Sequence, residues 1–260
     1  MSLSDAADST PETAPWWGRF EIETDECLDR QIESLRIRTL RLEREWHITT
    51  ERGEVATDGA DPPVPNRYVF TQTRGPLHLL PTLAERLVIT RPLAPLRIAS
   101  GAMVTLYIST PVAIEISVGE PPVVLEEVFV IRPSDTWFGP STYEGELCYA
   151  SRTSARLTLA DLPVRPDRAL TTVNINNQGS DALLLERIAV PTRHLNLFAA
   201  PTGGLWTQDV SFTRKGADEL ADLALADGPP RDNHDAKMVC EAREAAGENT
   251  LFRAFGAMFG

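Results

Sequence analysis

An alternation at the centre of the chain constrains the fold more than anything else in it. Val112, Ile114, Ile116 and Val118 are separated by Ala113, Glu115 and Ser117. Side chains of a β-strand point to opposite faces with period two, so this stretch lays one face on a core and turns the other to water. Just upstream, Val104, Leu106 and Ile108 keep the same period, while Met103 and Tyr107 make that strand apolar on both faces. Pro111 stands between the two runs. It has no N–H for a ladder and marks a strand start, a bulge or an edge. Residues 96–132 therefore specify a sheet.

The rest of the chain reads the same way as far as Lys215. Phe20 and Ile22 alternate with Arg19, Glu21 and Glu23 as a first strand, and Trp16-Trp17 pin it to the core. Between 31 and 50, Leu35 and Ile37, then Leu40 and Leu42, then Trp46 and Ile48 keep period two, with a slip near Thr39 and Leu40 that suits a bulge. Ile32, Leu35 and Thr39 also lie on one helical face, so a helix is the alternative there. Residues 51–66, rich in Gly, Pro and Asp, form a loop. Short strands follow over 77–93, and 136–149 gathers aromatics around Gly139-Pro140 and Gly145. Strands over 156–160, 172–176, 183–190 and 195–198 come in quick succession, with Asn177-Gln178-Gly179-Ser180 as a hairpin connection. Twenty prolines and sixteen glycines suit many short strands better than long helices. This density argues against βαβ units and for antiparallel layers.

From Gly216 the pattern changes. Residues 217–226 (ADELADLALA), with Leu220 and Leu223 three apart, read as a short helix, and 227–235 as a polar breaker. Leu251, Phe252, Phe255, Met258 and Phe259 then fall at offsets 0, 1, 4, 7 and 8, one stripe of an α-helix, with Asn249 as its cap. These five are the candidate partner-binding residues, because a groove on another protein or on a second copy would cover them. The alternative is that the helix folds back on its own sheet. The expected architecture is all-β: an antiparallel β-sandwich-like domain over 16–215 with a short helical C-terminal appendage over 216–260. Residues 1–15 are expected to be disordered, and a division into two sub-domains near 132–142 is the alternative organisation.

Charge and motifs bound the function. The net charge of −12 sits in the flanks: residues 1–30 hold eight acids against two arginines, and 216–250 nine acids against three bases. Such a chain is expected to avoid nucleic acid and anionic lipid, whose recognition needs clustered cations. Cys27, Cys148 and Cys240 are odd in number and far apart, so neither a disulfide framework nor a thiolate metal site is expected. The N-terminus lacks the basic and apolar runs of a signal peptide, and no stretch is apolar enough for a transmembrane helix, so the cytoplasm is the expected compartment. His47, His78, His194 and His234 show no metal-ligand spacing, and there is no nucleophile elbow or phosphate loop. The carboxylate pairs Glu126-Glu127 and Glu144/Glu146 are the kind a glycosidase uses, but they are equally ordinary on strand faces and turns. No catalytic residue, cofactor or metal is assigned.

Three segments carry a likeness to a known family: LYISTPVAIEISVG (106–119), WFGPSTYEGELCYASR (137–152) and TTVNINNQGSDALLLERIAVP (171–191). Across 87–198 the chain resembles an uncharacterised prokaryotic family, a domain of unknown function shared by archaea and bacteria. The resemblance implies a gene often found beside those of small-conductance mechanosensitive channels, and hence a soluble partner or regulator. It brings no catalytic residues. The leading expectation is a non-enzymatic cytoplasmic interaction protein that binds a channel, or itself, through the C-terminal helix. A carbohydrate-binding module stacking sugars on Trp16, Trp17, Trp46, Trp137 or Trp206 is a second class. A hydrolase with a site assembled from distant acids and histidines is a third, which a pocket joining His78 or His194 to carboxylates would favour.

Overall fold

A computed structural model describes residues 15–53, 63–141, 143–201, 203–216, 220–246 and 251–256. Its N-terminal part is β1 (Gly18–Phe20) followed by β2 (Cys27–Ile32), β3 (Leu35–Arg41), β4 (Glu45–Arg52) and β5 (Asn66–Val69). Strands β2 to β5 form an antiparallel meander in sequence order. Leu35, Ile37, Trp46 and Ile48 turn inward, as the alternation predicts. The slip near Thr39 is not a bulge: the β3 ladders run through it without a shift. Thr39 itself takes the inward position, fully buried, with no partner for its hydroxyl.

The centre comprises β6 (Leu77–Leu83), β7 (Val88–Thr90), β8 (Leu96–Ile98), β9 (Met103–Val118), β10 (Val123–Phe129), β11 (Ser134–Phe138) and β12 (Glu146–Ala150). Strand β9 runs unbroken through Pro111, for a reason the ladders make plain. Residues up to Pro111 pair with β13 (Arg168–Asn177), whereas residues from Val112 onward pair with β6, and from Ala113 also with β10. The proline sits where β9 changes partners, so its missing N–H costs no long ladder a bond. The same strand serves two cores. Leu106, Ile108 and Val112 belong to the larger one, and Ile114, Ile116 and Val118 to the one closed by the meander. Trp16 packs against the second core and Trp17 against the first, their rings edge to face at 5.3 Å.

Beyond β13 come β14 (Leu183–Leu185), β15 (Arg187–Val190), β16 (Leu197–Ala199), β17 (Leu205–Thr207), β18 (Val210–Arg214), β19 (Leu220–Leu225), β20 (Lys237–Cys240), β21 (Leu251–Arg253) and β22 (Phe255–Gly256). Among the described residues the strands form sheets of eleven, five, four and two, curled into a half-barrel. The layers are mixed rather than purely antiparallel, since β13 runs parallel to β17 and β18, and β12 parallel to β7.

Among the described residues the C-terminal part is strand, and no helical appendage is shown. Residues 220–225, expected as a helix, form β19, with Ala221 and Leu223 inward and Ala224 outward. The ladder offered by β18 decides this, pairing Val210 with Leu225 through Thr213 with Asp222. The described part of the terminal stripe, 251–256, likewise forms two short strands. Strand β21 extends the large sheet beside β19, and β22 extends the five-stranded sheet beside β15. Ala254 lies at the crossing, where its carbonyl accepts from Ala189 N–H. Residues 1–14, most of the 51–66 loop and the cap Asn249 lie outside the described residues.

Candidate functional site

The crossing at Ala254 settles where part of the tail goes. Phe252 and Phe255 are buried in the larger core, each with its ring centroid 5.8 Å from that of Phe212, one stacked and one edge on. Leu251 lends its backbone to β21, and Met258 and Phe259 lie outside the described residues. The tail strands are thus covered by the chain's own sheets.

Apolar surface is displayed elsewhere, at the hairpin of β11 and β12. Strand β11 is an edge of the five-stranded sheet, with β12 as its neighbour. Trp137 stands directly opposite Leu147, and residues so paired share a face. Both are open to solvent, Trp137 at 38% and Leu147 at 48% exposure, and Tyr143 in the turn reaches 95%. The opposite face is closed. Phe138 is buried beneath the Arg187 guanidinium, 5.4 Å from the ring centroid, and burial pushes the Cys148 thiol up to about 12. The turn is tightly tied. Trp137 Nε1–H donates to Ser141 O at 2.8 Å, and Ser141 Oγ accepts the N–H groups of Tyr143 and Glu144. A Cβ on Gly139 would overlap Glu144 O, and Gly145 holds φ +155° against Phe138 O, so both positions demand glycine. The Trp137 indole is therefore held in place before any partner arrives.

Of the tryptophans, Trp46 and Trp206 are buried and Trp16 and Trp17 half-buried, which leaves Trp137 as the one exposed tryptophan. Among the carboxylate pairs, Glu126 accepts from Asn66 and Tyr68, and Glu127 pairs with Arg243. His47 Nε2 lies 2.7 Å from Glu45, whose carboxyl is pulled down to about 2, first by Arg67 and then by His47. His234 is at the surface beside Asp235. His78 faces Ser117 across β6 and β9, and Nε2 and Oγ are both buried. No hydrogen bond joins them, so they do not form an activated nucleophile. Among the described residues, no group of three or more His, Cys, Asp and Glu side chains is placed to hold a metal.

One groove does bring a histidine to carboxylates. The register between β13 and its parallel neighbours sets two residues, Thr171 and Thr172, against three, Thr207, Gln208 and Asp209. This one-residue bulge splits the sheet into a β17–β16–β20 branch and a β18–β19–β21 branch. Beside it lies a groove of about 380 Å³ lined by His194, Asn196, Gln208, Met238, Glu241 and Glu244 among others. Both nitrogens of His194 are engaged. Nδ1 is 3.1 Å from Glu244 O, and Nε2 accepts from Arg193 Nε–H. Asp209, 3% exposed, has no hydrogen-bond partner for either oxygen, and Arg231 Nε lies 3.4 Å away. Burial raises its pKa more than Arg231 lowers it, and Asp232 adds to the rise. Sequence reasoning missed Asp209. Its one signal is an acid directly before the alternating strand Val210, Phe212.

A family model described as Protein of unknown function (DUF432) matches residues 16–259. The chain belongs to the DUF432 family. The DUF432 match extends well past 87–198, taking in the N-terminal meander and the tail strands as parts of one family domain. No curated protein and no solved structure matches this DUF432 chain. Among its described residues, no helix is long and apolar enough to cross a membrane.

Proposed function

We propose that this DUF432 protein is a non-enzymatic interaction or regulatory module that docks a protein partner through the β11–β12 hairpin. The observation that carries this is the solvent-facing pair of Trp137 and Leu147, with Tyr143 beyond it on a preordered turn at a sheet edge. Rigid aromatic side chains at low entropic cost are what interface hot spots use, and an edge strand adds main-chain donors and acceptors. The partner suggested by the family resemblance is a small-conductance mechanosensitive channel, met from the cytoplasmic side.

The test is binding of the purified full-length protein to the purified channel in detergent, followed by interferometry. Wild type is expected to bind saturably, and the Trp137→Ala/Tyr143→Ala double variant to bind at least tenfold more weakly while unfolding cooperatively within a few degrees of wild type. Equal binding by the two proteins would remove the hairpin from the account, and no binding by wild type would remove the channel. A glycan array read with the same pair of proteins addresses the sugar-stacking alternative, because the exposed tryptophan belongs to this hairpin. Glycan binding lost in the double variant would replace the protein-docking reading.

A further inference from the structure

The groove beside the β13 bulge has no part in docking through the hairpin, yet its walls carry fixed and unused polar groups. Gln208, the middle residue of the bulge, lines the groove and is only 5% exposed. Its Oε1 accepts Asn196 N–H at 2.7 Å, which settles which end of the amide is oxygen. Nε2 makes no hydrogen bond among the described residues and is not closed to solvent, so the amide offers the groove a free donor. Asn196 repeats the arrangement. Its Oδ1 accepts Ala242 N–H at 2.8 Å, and its Nδ2 is likewise unengaged.

The segment after β20 adds negative charge. The Ala242 N–H bond to Asn196 brings Glu241, the residue before it, to the same wall. Glu241 is exposed and makes no ion pair among the described residues. Glu244 also lines the groove, fixed by its N–H on Arg193 O and by its carbonyl, 3.1 Å from His194 Nδ1. Its carboxylate meets Arg193 Nε only at 3.5 Å and is 57% exposed. Two carboxylates therefore share one loosely placed cation, which leaves the groove short of positive charge. Met238 and Leu225 supply apolar surface between the polar groups. No aromatic side chain lines the groove among the described residues, so it offers no platform for sugar stacking.

We infer that this groove binds the amino-terminal end of an aliphatic peptide. Its α-ammonium group supplies the missing positive charge to Glu241 and Glu244, its first carbonyl accepts from the Gln208 and Asn196 amides, and its side chain lies on Met238 and Leu225. The donors decide between a peptide and a free amino acid. Neutral amides suit a neutral carbonyl, whereas a free carboxylate would stand beside two like charges with no unpaired arginine to meet it. The volume of about 380 Å³ is that of a small-ligand pocket. Capture of a chain's amino terminus is an established recognition mode.

The test is a titration of leucinamide into the full-length protein carrying isotopically labelled methionine methyl groups, followed by NMR. It is run at pH 6.5, where an α-ammonium group with a pKa of about 8 is charged. Met238 lines the groove, whereas Met103, exposed at the start of β9, does not and serves as the internal reference. The Met238 methyl signal is expected to shift saturably and that of Met103 to stay in place. N-acetyl-leucinamide, which lacks the charge, and isopentylamine, which lacks the carbonyl, are each expected to bind at least fivefold more weakly. Glu241→Gln, at an exposed position, is expected to melt within a few degrees of wild type and to lose at least fivefold in leucinamide affinity. The site is overturned if Met238 does not respond, or if Glu241→Gln binds as wild type does. It is also overturned if either truncated probe matches leucinamide, or if leucine, with its free carboxylate, binds more tightly than leucinamide.

Discussion

Phe252 and Phe255 in the C-terminal strands lie against Phe212, whereas Trp137 and Leu147 in the β11–β12 hairpin stand in solvent. The two regions carry comparable apolar side chains, so hydrophobicity alone does not separate them. Neighbours do. Strands β21 and β22 each find a waiting ladder, on β19 and β15, and Ala254 carries the chain from one sheet to the other. Strand β11 has one neighbour and an open side, and its turn leaves no room for a Cβ at Gly139 or Gly145. An apolar stripe at a chain end is thus a docking element only if its own sheets have no vacant edge for it.

The largest effect that would break this comparison is in the tail. Phe255→Ala should cost about 3–5 kcal/mol, the usual range for emptying a buried Phe site, measured by denaturant unfolding. A change below about 1 kcal/mol would mean that the tail is not core. The hairpin's two faces should differ next most strongly. Leu147→Cys is expected to react rapidly with a thiol reagent at pH 8, while Cys148, buried one residue away with its pKa pushed up to about 12, should stay unmodified until unfolding. Fast labelling at Cys148 would show that the hairpin's inner face is open too.

A third prediction concerns charge inside the large sheet. Asp209 has a folded-state pKa raised above its ordinary value, so its favourable contribution is present at low pH and is lost as pH rises through that raised pKa. At pH 7 the ionised carboxylate is destabilising, and Asp209→Asn should stabilise the protein by on the order of 1 kcal/mol. The gain should shrink as pH falls through the raised pKa. A gain that grows on acidification would show that the carboxylate is held by a partner. The smallest effect is expected at Trp137→Ala, below about 1 kcal/mol, because the half-exposed indole loses mainly its hydrogen bond to Ser141 O. A larger loss would make that tryptophan structural and weaken its role as an anchor.

The strands with one buried face were legible from period two alone, as in 112–118 and the inward set of Leu35, Ile37, Trp46 and Ile48. The tail was not, and the reason is specific. Crossing between sheets at Ala254 buries both Phe252 and Phe255, a spacing of three that imitates a helical stripe. Likewise Leu220 and Leu223 mimic a helical spacing, although Ala221 and Leu223 are the residues that turn inward. The parallel pairing of β13 with β17 and β18, and the bulge it creates at Gln208 and Asp209, depend on ladders between residues more than thirty apart in sequence. No local pattern encodes them. The hairpin was half legible: Trp137 stood among five tryptophans with no sign of which would be exposed, because exposure here follows from strand order.

Oxidative footprinting of the full-length protein, alone and with its partner bound, tests most directly whether the hairpin rather than the tail is the docking surface. The account predicts that Trp137 and Tyr143 are modified in the free protein and protected in the complex, with Phe252 and Phe255 unmodified in both. Modification of Phe252 and Phe255 in the free protein, with protection on binding, would contradict it.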